Sequence, residues 1–167
     1  MTEEIKRNYL EIKSLQDLVK GKKPPNDYFL NLINPINFQL NKFFYKEIGK
    51  NHKWIDRLSW SEEKWINYVS SKNVQTYVFK FKDDLVGFFE LNFHPDKNET
   101  EIAYFGILEE FQNKKLGSYL LSEAIKKSFR KNVRRVWVHT CSLDHKNALK
   151  NYRSRGMKIF KVETINI

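Results

Sequence analysis

Cysteine is nearly absent from this 167-residue chain, and the single residue, Cys141, cannot form an internal disulfide. The four histidines and the cysteine form no cluster with metal-ligand spacing, so no metal is expected. No uninterrupted apolar run is long enough to cross a bilayer, and the opening MTEEIKRNYL lacks the apolar stretch of a secretion signal. No segment gathers the several glycines that a nucleotide P-loop or a dinucleotide fingerprint needs. Internal repeats, low-complexity tracts and flexible linkers are missing as well. These absences leave a single soluble, cytoplasmic domain over residues 1–167, without membrane contact, as the expectation.

What the chain does contain is a core. Hydrophobic residues at 41% and aromatics at 15% point to a packed globule and not to disorder. The net charge of +10 would favour polyanions, but basic and acidic residues are interleaved along most of the chain. The densest basic segment, Lys126 to Lys131 with Arg134 and Arg135, falls where a helix is expected to end, and cations there suit the helix dipole. A solvated lysine-rich surface is therefore expected in place of a nucleic-acid groove.

Periodicity supplies the elements. Tyr9 to Leu15 reads as a first strand with Leu10 and Ile12 inward, and Gly21, Pro24 and Pro25 mark the loop after it. Asn34-Pro35 predicts the start of a helix in which Ile36, Leu40, Phe44 and Ile48 recur up to Gly49. Ser61, with Glu62 and Glu63, caps a second helix bearing Trp65, Ile66 and Val69. Val74 to Lys82, a turn at Asp83-Asp84, Leu85 to Phe93, a turn over Pro95 to Asn98, and Thr100 to Leu108 predict three antiparallel strands. A helix follows over Lys115 to Lys131, with Leu116, Leu120, Leu121, Ala124, Ile125 and Phe129 on its apolar side. Val133 to Cys141 then forms a strand parallel to the previous one, reached by a helical crossover. Asp144 predicts the N-cap of a short helix carrying Ala148, Leu149 and Tyr152 and stopped by Gly156. Met157 to Ile165 closes the chain as a strand.

A strand that turns tightly into a helix aims unpaired backbone N–H groups at one spot, which attracts anions and phosphates above all. Here that turn is Gln112-Asn113-Lys114-Lys115-Leu116-Gly117. It resembles motif A of the GNAT (Gcn5-related) N-acetyltransferase superfamily, a (Gln/Arg)-x-x-Gly-x-(Gly/Ala) turn that grips the pyrophosphate of acetyl-coenzyme A. Gln112 and Gly117 fit, whereas Lys115 replaces the middle glycine and Asn113 stands where a further glycine is common. Asp144 to Met157 resembles motif B, Asn-x-x-Ala-x-x-x-Tyr-x-x-x-Gly-Phe. Ala148, Tyr152 and Gly156 match it, while His145 and Met157 depart from it.

The resemblance implies a mixed α/β fold with a mostly antiparallel twisted sheet of six to seven strands and about four helices. It also implies acetyl-coenzyme A as co-substrate and transfer to a primary amine of a small molecule or peptide by direct attack, in a family whose members often form homodimers. The implied cofactor-binding residues are Gln112, Asn113, Lys114, Lys115, Leu116, Gly117 and Ser118, with strand backbone at Phe105 and Ile107. Tyr152 stands where a proton donor to the coenzyme thiolate is found; otherwise it is a tyrosine packed on the sheet. Glu101 occupies the place of a general-base glutamate, with Glu90 and His94 as weaker candidates; otherwise it is an exposed strand-end carboxylate. Phe38, Phe43, Phe44, Tyr45, Trp54, Trp60 and Trp65 either line the acceptor wall or fill the core. His139 and Cys141 share a strand face but stand too far apart for a direct hydrogen bond, which sets aside an acetyl-enzyme route. The alternatives to an acetyltransferase are a longer acyl donor, or a GNAT-like module with a degraded turn that binds nucleic acid or a protein.

Overall fold

A computed structural model describes residues 3–166 of the chain. Within them lie β1 (Glu4–Ile12), β2 (Tyr28–Leu32), α1 (Phe38–Gly49), α2 (Glu62–Val69), β3 (Val74–Phe81), β4 (Asp84–His94), β5 (Glu99–Ile107), α3 (Leu116–Ser128), β6 (Arg135–Cys141), α4 (Ala148–Ser154) and β7 (Lys158–Asn166). The strands form one sheet in the order β2-β3-β4-β5-β6-β1-β7, antiparallel throughout except between β5 and β6. Seven strands and four helices in this mixed arrangement match the fold that the resemblance implied.

Alternation along β3 and β4 assigns the two faces of the sheet. Tyr77, Phe79, Phe89 and Leu91 pack with Leu116, Leu120, Leu121, Ala124 and Ile125 of α3. Val78 and Phe88 point the other way, onto Phe44 and Ile48 of α1, where the Phe44 and Phe88 rings stack 4.9 Å apart. The buried faces of α1 and α3 therefore sandwich the centre of the sheet, as their helical spacing requires. Leu10 and Ile12 of β1 and Val136 and Val138 of β6 face the α3 side, so Arg7, Tyr9, Trp137, His139 and Cys141 face the other.

Several boundaries depart from the sequence expectations. The first strand begins at Glu4 and ends at Ile12, not Leu15. Helix α1 starts three residues after Pro35, because Asn37 and not Asn34 caps it, accepting a hydrogen bond from the Gln39 N–H at 3.1 Å. Ile36 consequently lies outside the helix and is exposed. The hairpin turn falls at Lys82-Asp83, with Lys82 left-handed at φ 52° and Asp84 already in β4. Helix α3 ends at Ser128 and tightens into a 3-10 turn over Phe129–Lys131. Asp144 does not cap α4. Its carboxylate instead accepts from the Cys141 N–H at 3.0 Å, from the Thr140 hydroxyl and from Trp54 Nε1, closing the end of β6 against the segment after α1. Gly156 does stop α4, at φ +106°, and a Cβ there would meet the Asp17 carbonyl oxygen at 2.2 Å.

The parallel pair β5–β6 is short. Its register holds only for Glu99↔Arg135, Thr100↔Val136 and Glu101↔Trp137. Beyond Glu101 each strand is committed to its outer neighbour: β5 pairs with β4 as far as Ile107, and β6 pairs with β1 as far as Cys141. A β-bulge on β5 at Ala103, between the pairs Leu91↔Ile102 and Glu90↔Tyr104, bends that strand at the point of separation. The closed end is pinned by the buried Glu99 carboxylate, which accepts from Arg135 Nε at 2.6 Å and Arg134 Nη2 at 3.2 Å. Thr100 Oγ1 also donates to the Ser128 carbonyl at 2.9 Å, tying β5 to the end of α3.

Burial pushes the Glu99 carboxyl up, but the hydrogen bond and charge of Arg135, with Arg134 and Lys97, outweigh it and hold it below its usual value. A carboxyl lowered in the folded state adds stability above its unfolded pKa, about 4.3, and loses it as the pH falls through the lower folded value. Glu99→Gln should therefore lower the urea midpoint at pH 7, and the gap to the parent should narrow at pH 3. An equal gap at both values would show that the charge contributes nothing to closing the fork.

Candidate active site

One cleft of about 1230 Å³ is lined from both faces of the sheet and by the separating strands β5 and β6. It gathers Glu101, Phe105, Ile107, Gln112, Asn113, Lys115, Leu116, Gly117, Ser118 and Tyr152. Of the implied cofactor-binding residues, Lys114 alone is not on its wall, and its ammonium lies 5.4 Å from the Phe111 ring centroid.

At the α3 end the turn keeps its shape without the usual glycines. Asn113 and Lys115 both adopt the left-handed conformation, at φ 64° and 62°. Asn does so at low cost, whereas Lys at this φ carries roughly 1–2 kcal/mol of strain. No side chain caps the helix at Lys115, so the first-turn N–H groups stay open toward the cleft. The Gln112 amide braces the end of β5 by donating to the Ile107 carbonyl at 3.2 Å. The Ser118 hydroxyl donates to the Lys115 carbonyl at 3.1 Å, and Asn151 Nδ2 donates to the Gly117 carbonyl at 3.1 Å. Space around Gly117 is open, since a Cβ there would meet only Asn151 Nδ2, at 3.6 Å. Leu116 is anchored in the core, which fixes the helix start. An uncapped first turn, an open approach at Gly117 and unpaired strand backbone in the fork together fit a long ligand with an anionic end and a peptide-like arm.

Tyr152, on α4, is 6% exposed, and its ring stands edge-on to Phe105 with centroids 6.4 Å apart. Burial, with the nearby Asp144 charge, pushes its phenol far above the usual value, so the group stays protonated and able to donate. Glu101 lies on the opposite face, where Oε1 is 3.0 Å from His94 Nε2. The two candidates thus approach the fork from opposite sides.

Glu90 is excluded as a base. It is fully buried, held by Arg57 Nη1 at 2.9 and 3.1 Å and by Asn41 Nδ2 at 3.0 Å. The Arg57 guanidinium is ringed by Tyr45, Trp60, Trp65, Tyr68 and Tyr104, with centroids 4.4–5.9 Å away. Next to it, Asp56 accepts from Tyr104 at 2.8 Å and from Tyr45 at 3.0 Å. The aromatic residues therefore divide: Phe44, Tyr45 and Trp65 are core, Trp54 and Trp60 line the cleft, Phe38 is half-buried, and Phe43 is exposed. Sequence reasoning missed Arg57 and Asp56. Their only signal was a charged pair within the tryptophan-flanked run Trp54-Ile55-Asp56-Arg57-Leu58-Ser59-Trp60.

His139 and Cys141 both line the cleft on the Glu101 face, and no hydrogen bond joins them among the described residues. Burial, with the Asp144 charge, pushes the Cys141 thiol up, away from the thiolate a nucleophile requires. Burial and the Arg7 charge push the His139 imidazole down, against the pull of Glu101. No group of three or more metal-ligating side chains occurs among the described residues.

The family model described as the acetyltransferase (GNAT) family matches residues 38–157. Among solved structures, a GCN5-related N-acetyltransferase from Sphaerobacter thermophilus superposes with a TM-score of 0.76 at 14% identity, over 99% of this chain and 52% of that one. One from Kribbella flavida gives 0.67 at 14% identity, over 96% of this chain and 56% of that one. An aminoglycoside acetyltransferase from an uncultured soil metagenomic sample, in complex with sisomicin, gives 0.65 at 14% identity, over 78% and 88%. The chain thus spans about half the length of the first two, and identities this low speak for the fold alone. No curated protein matches the sequence.

The caged ion pair on the cleft floor predicts its own energetics. Arg57→Met should destabilise the protein by roughly 3–5 kcal/mol, because it strands the Glu90 charge. The double change Arg57→Met with Glu90→Met should recover most of that loss in urea unfolding. A double variant no more stable than Arg57→Met alone would show that the cage depends on the guanidinium itself.

Proposed function

The chain belongs to the acetyltransferase (GNAT) family, and from that premise we propose that it moves an acetyl group from acetyl-coenzyme A to a primary amine by direct attack. The observation that carries this reading is the fork between β5 and β6, lined by the open helix start on one side and by Glu101 on the other. Bound there, acetyl-coenzyme A would supply a thioester carbonyl and a thiolate leaving group.

The chain's own residues divide the work. The first-turn N–H groups at Leu116, Gly117 and Ser118 hold the diphosphate, with Asn113 and Lys115 shaping the turn and the cations of Lys114 and Lys115 adding charge. Backbone at Phe105 and Ile107, which no strand pairs on the fork side although the Ile107 carbonyl accepts from Gln112, receives the pantetheine amides and polarises the carbonyl. Glu101 takes a proton from the acceptor ammonium, directly or through water, and His94 orients the carboxylate. The amine nitrogen bonds to the carbonyl carbon, the carbon–sulfur bond breaks, Tyr152 gives its proton to the departing thiolate, and the second proton released by the nitrogen as it becomes an amide passes through water to restore the Tyr152 phenol. The high pKa of the Tyr152 phenol keeps that proton available.

The single free cysteine and the absence, among the described residues, of a helix long and apolar enough to cross a membrane are consistent with action in the cytoplasm. The one sheet supports a single domain over residues 1–167 as the acting unit.

Calorimetric titration should find acetyl-coenzyme A bound by the parent protein and at least tenfold weaker binding by Gly117→Trp, whose side chain fills the open approach. A parent that binds no coenzyme, or a variant that binds it equally well, would remove the turn from the site. A steep salt dependence of binding to random-sequence nucleic acid would instead favour a polyanion-binding module.

For the chemical step, Tyr152→Phe should lower kcat about a hundredfold with little change in the KM for acetyl-coenzyme A. Glu101→Gln should lower kcat/KM at neutral pH about a hundredfold. Unchanged turnover in either variant would strike that residue from the mechanism.

A further inference from the structure

At the β1 end of the cleft one guanidinium is only partly satisfied. Arg7, on β1, shares the sheet face of Glu101 and lines the same cleft. Among the described residues its Nε is buried without a hydrogen-bond partner. Glu163, the carboxylate across from it on β7, feels the Arg7 charge but makes its hydrogen bond with the Tyr9 hydroxyl and its ion pair with Lys161 Nζ at 3.6 Å. Arg57 and Arg135 are satisfied, by Glu90 and by Glu99 and Glu11, whereas Arg155, at the end of α4, also lines the cleft with a buried Nε that has no hydrogen-bond partner among the described residues. Leaving a buried guanidinium N–H without a hydrogen-bond partner is costly unless a ligand supplies an acceptor.

Between Arg7 and Glu101 the walls are aromatic or neutral. Tyr9 and Trp137 border His139, with ring centroids 5.5 and 6.4 Å from its own. The lowered imidazole pKa leaves His139 mostly uncharged near neutral pH. The face thus presents the Glu101 carboxylate at one end, the Arg7 guanidinium at the other and rings between them, with Asp56 and Asp144 elsewhere on the cleft wall.

The register sets the separation. Arg7 lies opposite Cys141, and Glu101 lies opposite Trp137, four residues back along β6. Two strand spacings across and four residues along place the Cα atoms about 16 Å apart. Side chains extended toward each other leave a gap, so one ligand that touches both must carry its amine and its anionic group several bonds apart.

Resting on the acyl-transfer reading above, we propose that the acceptor is a peptide-like or ω-amino acid whose amine faces Glu101 while its carboxylate is bound by Arg7. The bidentate fork of a guanidinium suits a carboxylate, and the positive net charge of the chain favours an acceptor that carries a negative group. Polycationic acceptors fit this end of the cleft poorly, because they would bring a second ammonium against Arg7.

The test uses matched pairs that differ only in the acid: glycylphenylalanine against its C-terminal amide, and 6-aminohexanoate against 6-aminohexanamide. Acetylation and calorimetric binding are both measured, the latter with and without coenzyme A. The parent should favour each free acid at least tenfold, about 1.4 kcal/mol. Arg7→Met should shrink that ratio at least tenfold through KM and Kd, and Arg7→Lys should restore part of it. A parent that treats acid and amide alike, or an Arg7→Met variant that keeps the full ratio, overturns the proposal even if acetyl transfer is observed. A preference for the acid in binding that depends on Arg7, in a protein that never takes up acetyl-coenzyme A, would uphold this subsite while overturning the transfer reaction.

Discussion

Everything in the cleft depends on two adjacent parallel strands being unable to stay paired. Strand β5 is held on its outer side by β4, and β6 by β1, so once the bulge at Ala103 turns β5 aside nothing brings the two back together. The resulting fork exposes main-chain donors and acceptors in the middle of a sheet, where they would ordinarily be satisfied by a neighbouring strand. An extended ligand with amide groups can replace that neighbour. Closure at one end by Glu99 and two arginines keeps the opening fixed instead of letting the sheet unzip along its length. The same strand then delivers the turn into α3, so the open helix start lies near the wide end of the fork without any further device.

The fork also joins two faces of opposite character. On the α3 side, Phe105, Ile107 and Tyr152 belong to or border the main hydrophobic core, and the one polar group among them, the Tyr152 phenol, is held protonated by its surroundings. On the other side, Glu101, Asp56 and Arg7 are charged and reach a water-accessible cleft. The reaction proposed above, which needs an acid on one side and a base on the other, is served by this division. The caged Arg57 and Glu90 do not take part. Their role is to fix the floor from which Asp56 and Tyr104 project, and a fully buried, fully hydrogen-bonded pair is stiff for that purpose.

Much of this was legible in the sequence, for identifiable reasons. Helix α3 and the hairpins β3–β4–β5 carry strong 3.6- and 2-residue periods, and Tyr152 and Gly156 keep a spacing that only a short helix with a glycine stop explains. Strand β2 escaped because it is a five-residue edge with Phe29 and Leu32 exposed, so its pattern does not alternate. The cap of α1 was misplaced because Asn-Pro imitates a helix start that Asn37 in fact provides. Asp144 was read locally, as a cap, when its partners lie on β6 and in the segment after α1. Arg7 carried no local signal at all, since its surroundings are made by strands over a hundred residues away in the chain.

That last point bears on where specificity resides. The segment matched by the family begins at residue 38, whereas β1 lies wholly before it and yet sits between β6 and β7, antiparallel to both. Strand β1 therefore both holds β6 away from β5 and brings a charged side chain to the acceptor face. The machinery that grips an acyl donor can stay constant within residues 38–157, while residues supplied by β1 vary without disturbing it. A face built by a strand outside the common segment is where relatives of similar fold have physical freedom to differ in the amine they accept. In the reading proposed above, Arg7 is the side chain through which β1 would select the acceptor.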